Sequence, residues 1–161
     1  MGALSCCGLK IDDGSLIKGL KNVFHPCRLQ YLKNKKLIID GAHNPDGAAK
    51  LRESLDLYFP DEERVWIFGS LRNKNFQKTA RTLFRKDDEV YLYDFSHYNH
   101  ASFEEIAAVS PISVKKSPDN IEKILTSAAD KLKIVAGSLY MAGEILAKNE
   151  DLRKLVFGVD I

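Results

Sequence analysis

Short apolar runs of strand length alternate with stretches of helical period along most of this chain, and that alternation is its strongest constraint. KLIID (36–40), RVWIF (64–68), EVYLYDF (89–95) and KIVAG (133–137) are rich in β-branched and aromatic residues, which favours strands over buried helices. PISVKK (111–116) is a weaker fifth candidate, consigned to a sheet edge by Pro111 and its two lysines. Between the runs, Ala48, Leu51, Leu55 and Tyr58 recur at spacings of three and four and are expected to share one helical face. Phe76, Ala80 and Phe84 form a second such stripe. Ile121, Ile124, Leu125, Ala128 and Leu132 form a third, after a start signal in Ser117-Pro118-Asp119, and Leu139 to Ala147 a fourth. Near-continuous apolar strands separated by amphipathic helices predict an α/β domain, a doubly wound and mainly parallel sheet with helices on both faces. The first thirty residues fit less well. SLIKGLKNV (15–23) reads as one short helix, HPCRLQYL as a turn at Pro26 with a strand from Arg28, and the opening dozen as the end of something else or a loose tail.

With 161 residues, 45% of them hydrophobic, the chain is long enough for one core and too short for two. Its 24 basic and 22 acidic residues leave a net charge of +2, too balanced to point to nucleic acid. No stretch approaches the roughly 18 consecutive apolar residues of a membrane span. The start MGALSCCGLKIDD lacks the basic flank of a secretory signal. Cys6, Cys7 and Cys27 are odd in number, two are adjacent, and no CxxC pair is present. Reduced thiols in a cytoplasmic protein are therefore expected.

In an open parallel sheet, ligands bind beyond the carboxyl ends of the strands. LIIDGAHNPDG (37–47) occupies such a place. Gly41 frees the backbone for a turn, Pro45 suits a first helical turn, Asn44 an N-cap, and Asp46 the positive end of the helix dipole. That account leaves Asp40 and His43 unexplained; the first can accept from ribose hydroxyls, the second can bond a ligand or brace the loop. GSLRNKN (69–75) brings Arg72 and Lys74 within reach of an anion, and Gly137-Ser138-Leu139-Tyr140 is a small-residue turn into a helix. Each Gly-Ser turn alone is only geometric; together with Asp40 they line one sheet edge. Neither G-x-x-x-x-G-K-[ST] nor G-x-G-x-x-G occurs, so the chain has neither familiar grip on a triphosphate or dinucleotide. His97-Tyr98-Asn99-His100 lacks an evident third ligand and reads as a polar loop rather than a metal site. Trp66 reads as core, and Ser102-Phe103-Glu104-Glu105 as a helix start.

GLKNVFHPCRLQYL, LIIDGAHNPDGAAKL, WIFGSLRNK and VAGSLYMAGEIL, in that order from about Leu16 to Leu146, resemble the C-terminal domain of folylpolyglutamate synthase/dihydrofolate synthase, within the Mur ligase superfamily. DGAHNP is the most specific part. The resemblance implies a Rossmann-like domain of an ATP-dependent ligase, which phosphorylates a carboxylate and lets the amino group of L-glutamate displace phosphate. It implies ATP and magnesium held mainly by an N-terminal ATPase domain, and folate or dihydropteroate as the other substrate. No nucleic-acid or membrane partner is expected. By the same resemblance Arg28 would reach the ATP phosphates and Asp40 the nucleotide. His43 and Asn44 would face a nucleotide or glutamate cleft, with Ser70, Lys74 and Ser138 on its rim.

Three departures stand out: Pro26-Cys27-Arg28 replaces Pro-Gly-Arg, Asn73-Lys74-Asn75 replaces Asp-Lys-Asp, and His100 replaces an arginine. They leave Arg28 and Asp40 intact and remove two carboxylates from the rim. The domain plan expected is a linker and ATPase-domain tail over 1–23 and the ligase domain over 24–161, inactive alone, with no catalytic or metal-ligating residue named in this chain. Two other readings fit the same residues: the equivalent domain of a peptidoglycan Mur ligase, and a stand-alone, non-catalytic α/β binding module.

Overall fold

A computed structural model of the chain describes Gly8 and residues 12–158. A short helix, α1 (Asp13–Lys21), is capped by Asp12 and buries none of its residues. Then follow β1 (Gln30–Leu32), a 3-10 turn at Lys33–Lys35, β2 (Leu37–Ile39), α2 (Pro45–Tyr58), β3 (Arg64–Phe68) and α3 (Phe76–Leu83). The second half contains β4 (Glu89–Leu92), α4 (Phe103–Ala107), β5 (Lys115–Lys116), α5 (Glu122–Ser127), β6 (Leu132–Ala136), α6 (Leu139–Lys148) and α7 (Glu150–Phe157).

The strands form one sheet in the order β1-β2-β6-β3-β4-β5. Only β1 runs antiparallel to its neighbour; the other four pairings are parallel. Every residue of β2, β3 and β6 is buried, as strands covered on both faces require. The period of two sorts the side chains. Leu37, Ile39, Val65, Ile67 and Val135 pack on one face beneath Leu125 of α5, Met141 and Ile145 of α6 and Leu152 of α7. Ile38, Trp66, Phe68 and Ile134 pack on the other, beneath Leu51 and Leu55 of α2 and Ala80 and Leu83 of α3. Trp66 is fully buried, as its place in a strand implies.

The doubly wound α/β architecture is the one the alternation dictates, and PISVKK does end in the edge strand β5. Three local expectations are corrected. Tyr58 is 65% exposed, because α2 ends there and only Ala48, Leu51 and Leu55 of its stripe are buried. The third stripe is a six-residue helix starting at Glu122, with Leu132 in β6. Its start signal fails because Asn120, not Ser117, accepts the Glu122 amide, and the helix closes at Ala128. Phe84 is buried but extended, one residue beyond α3. Lys133, in β6, is 1% exposed. Its ammonium donates to the carbonyls of Ala128 (3.0 Å) and Ala129 (3.2 Å) at the end of α5, and burial pushes its pKa down.

Cys27 is a free, buried thiol; Cys6 and Cys7 lie outside the described residues. Among the described residues no helix is long and apolar enough to cross a membrane.

Candidate ligand cleft at the sheet's switch point

The loops after β2 and β3 lead into helices on one face, and the loop after β6, which lies between them, leads into α6 on the other. Loops diverging to opposite faces leave a crevice beyond the strand ends. Here it is a cavity of about 130 Å³ lined by His43, Leu71, Lys74, Gly137, Ser138, Leu139 and Tyr140.

Each polar group in it is oriented by its loop. His43 Nδ1 lies 2.7 Å from the carbonyl oxygen of Gly41. A carbonyl only accepts, so Nδ1 carries a proton here, and in that tautomer Nε2 is the ring's acceptor. Lys74 lines the cavity without an ion pair among the described residues. Ser138 is the N-cap of α6, its Oγ accepting the Met141 amide at 3.4 Å, so the positive end of that helix faces the same space. Gly137 is required by geometry. Its φ is +111°, and a Cβ there would lie 2.3 Å from the carbonyl oxygen of Gly69.

Beside this cavity lies a second group. The Asp40 carboxylate clamps two backbone segments: Oδ2 accepts the Leu29 amide at 2.6 Å and Oδ1 the Ala42 amide at 2.7 Å. That ties the loop containing Cys27 and Leu29, both at positive φ, to the end of β2. Between them Arg28 is exposed, its guanidinium resting on Gly41, where an added Cβ would meet Arg28 Nη1 at 2.9 Å and Leu139 Cδ2 at 2.4 Å. Leu139 thus connects Arg28 to the cavity. Asp40 and Arg28 share one rim, and among the described residues they form no ion pair with each other.

The structure therefore brings His43, Lys74 and Ser138 together and sets Arg28 and Asp40 alongside. The remaining two candidates serve the backbone. Asn44 caps α2, its Oδ1 accepting the Gly47 amide at 2.7 Å, and Ser70 is fully buried, its hydroxyl turned to the Leu71 carbonyl. Arg72, a possible anion partner from sequence, is taken by Glu105, whose oxygens lie 2.8 and 3.0 Å from Arg72 Nε. Asn75 caps α3. Tyr140 and Leu71 line the cavity without having been singled out; Tyr140 lies two residues beyond Ser138, in the first turn of α6, where the cap turns it to the crevice.

The Arg72–Glu105 pair has a measurable consequence. Glu105 also completes a capping box with Ser102, and Arg72 and the Ser102 amide hold its carboxyl at about 2, down from the usual 4.5. A depressed folded-state pKa means stability present above about 4.5 and lost as pH falls towards 2. Glu105→Gln is accordingly expected to flatten the melting temperature's acid dependence between those limits, checked by thermal melts across that range.

A larger hollow of about 380 Å³ opens beyond β4 and β5, bordered by Asp94, His100, Lys116 and Lys148. Most of its charges are already matched: His100 Nε2 lies 2.8 Å from Asp94, and Lys148 2.7 Å from Glu144. The smaller cavity lies at the switch point, and Lys74 and His43 Nε2 have no partner there among the described residues; it is the better candidate.

The Mur ligase glutamate ligase domain profile matches residues 27–143, which contain every residue of the cavity and of the Arg28 rim. The chain belongs to this family. Among curated relatives, the dihydrofolate synthase/folylpolyglutamate synthase of Bacillus subtilis is 26% identical over 141 residues, 84% of this chain and 33% of that protein. The folylpolyglutamate synthase of Lacticaseibacillus casei is 30% identical over 133 residues, 80% of this chain and 30% of that protein. A crystal structure of the bifunctional folylpolyglutamate synthase/dihydrofolate synthase of Yersinia pestis superimposes with a TM-score of 0.76 at 26% identity, covering 87% of this chain and 35% of that one. This Mur ligase domain thus spans about a third of the length of the relatives it matches.

Proposed function

We propose that this chain is the C-terminal, glutamate-handling part of an ATP-dependent ligase that joins L-glutamate to a folate or dihydropteroate carboxylate. The observation carrying the proposal is the Lys74 ammonium, without an ion pair among the described residues, in one small cavity with His43 and the Ser138-capped helix end at the switch point of a Mur ligase domain. An ammonium and a helix N-terminus suit a carboxylate, and an imidazole lone pair suits the amino group of the same amino acid.

The side chains divide the work. Lys74 and the α6 end bind glutamate's carboxylate, and His43 Nε2 accepts a hydrogen bond from its amine and orients it. Arg28, exposed and seated on Gly41, suits a phosphate; Asp40 holds the loop that presents it. Both Asp40 oxygens already accept amides, so its contribution is to position Arg28, with only the remaining lone pairs free for a ribose. ATP, held mainly by a preceding ATPase domain, would supply the chemistry of activating the acceptor carboxylate as an acyl phosphate. Magnesium, like ATP, is assigned mainly to that other domain. No general base is assigned. Residues 1–23 read as the linker and tail of the ATPase domain, residues 24–161 as the ligase domain, acting in the cytoplasm and inactive alone.

The test is folate-dependent, glutamate-dependent ADP release by the polypeptide that joins this domain to its ATPase domain. Arg28→Ala is expected to raise KM for ATP about tenfold or more, the worth of one charge-assisted phosphate contact, while KM for glutamate stays put. An unchanged ATP dependence would withdraw the phosphate role, and absence of any ligation would withdraw the proposal.

A further inference from the structure

The loops beyond the strands part a second time, at the edge of the sheet. After β4 the chain enters α4, whose Ile106 packs with Val90 and Leu92 on one face. After the neighbouring parallel strand β5 it enters α5, whose Ile124 and Leu125 pack on the other. By the geometry that made the first cavity, such loops leave a crevice beyond the carboxyl ends of their strands. The hollow of about 380 Å³ is that crevice, and it reaches the size of small-molecule pockets, on the order of 300–1,000 Å³. A chamber of about 260 Å³ adjoins it. The two share Tyr93, Asp119 and Lys148, and the chamber is lined by the buried Ile121 and Ile145.

Pairing among the charges of this crevice leaves two groups over. His100 is engaged by Asp94 at 2.8 Å, and Lys148 by Glu144 at 2.7 Å and by the Tyr93 hydroxyl at 3.3 Å. Lys116, at the end of β5, and Asp119, three residues on, both border the hollow and form no ion pair among the described residues. One spare cation and one spare anion on the same wall select against a ligand of single charge. An anion bound there would leave the Asp119 carboxylate unpaired as water is displaced, and a cation would do the same to the Lys116 ammonium. A molecule carrying both charges matches both. Asp119 also borders the chamber, so the apolar space between Ile121 and Ile145 begins beside the ionic groups and suits a side chain attached to them.

We propose that this second crevice binds an aliphatic α-amino acid, with its carboxylate on Lys116, its ammonium on Asp119 and its side chain between Ile121 and Ile145. The site is separate from the Lys74 cavity and does not depend on the ligase reading above. Glutamate does not fit it, because its second carboxylate would enter the apolar chamber without a partner.

The experiment titrates the full chain with L-leucine and follows backbone amide shifts by NMR, with 4-methylpentanoate, which lacks the amine, and 3-methylbutylamine, which lacks the carboxylate, as single-charge controls. L-Leucine is expected to give saturable shifts over residues 93–96 and 116–121, and each control to bind at least about tenfold more weakly, the worth of one charge-assisted contact. L-Alanine, with almost no side chain to bury, should also be weaker by about tenfold or more. Lys116 and Asp119 are exposed, so Lys116→Ala and Asp119→Asn leave the fold intact. Each should weaken L-leucine about tenfold or more, while Lys116→Ala leaves 3-methylbutylamine binding unchanged. No saturable shift at this crevice, or an L-leucine Kd indifferent to either substitution, overturns the proposal and leaves the Lys74 cavity reading in place. A 4-methylpentanoate Kd equal to that of L-leucine makes the crevice a plain anion site and overturns it too. L-Glutamate saturating the shifts of this crevice, and not those around Lys74, overturns both readings.

Discussion

Gly137→Ala is expected to lower the free energy of unfolding by about 2–4 kcal/mol and the melting temperature by roughly 5–15 °C. Two costs combine. Alanine at φ +111° is strained whatever the space around it. Its methyl would also lie 2.3 Å from the Gly69 carbonyl oxygen and 2.6 Å from Phe68 Cε2. The first neighbour is backbone and the second a fully buried ring in β3, so neither yields cheaply. Two adjacent parallel strands, β6 and β3, would have to part exactly where their loops form the cavity. Gly143→Ala is the internal control. Gly143 lies inside α6 with nothing within 4 Å of the added methyl, so alanine there should stabilise by about 0.5–1 kcal/mol. Thermal melts of the two variants beside the parent chain check both signs; a Gly137→Ala melt equal to the parent's would mean the loop relaxes freely.

Lys74→Ala has the largest expected effect on function. Removing a charged donor from a partly closed cavity costs about 1.5–3 kcal/mol, so KM for glutamate should rise roughly ten- to a hundredfold. KM for ATP should stay within about twofold. The specificity of the change is the informative part. Lys74 is half-buried with no ion pair among the described residues, so its removal leaves no orphaned partner and the melting temperature should hold. Steady-state kinetics of the two-domain polypeptide, varying glutamate and ATP separately, distinguish the outcomes. Equal rises in both KM values would place Lys74 in domain closure rather than in glutamate binding.

The alternation of RVWIF, EVYLY and KIVAG with amphipathic helices sufficed for the fold class, because strands buried on both faces must be apolar throughout. Asn44, Pro45 and Asp46 were legible as a helix start for a similarly local reason: a cap is satisfied within one turn. Where local signals competed, reading them failed. The stripe through Leu132 matched a helical period, yet Leu132 pairs with Arg64 in the sheet, and pairing between distant strands leaves no mark at short range. Arg72 and Lys74 were indistinguishable in GSLRNKN. Only the approach of α4, with Glu105, engages one and leaves the other facing the cavity.

The chain's own order of residues thus determined that a parallel α/β sheet would form and that DGAHNP, GSLRNKN and GSLY would end up at its carboxyl edge. Which of those side chains meet was decided by tertiary structure alone. Inserting β6 between β2 and β3 brings His43, Lys74 and Ser138 around one cavity, although 31 residues separate the first two and 64 the last two. The physical reason is that hydrophobic periodicity records which face of an element is buried, while neighbours across a sheet are chosen by packing and chain connectivity over the whole domain.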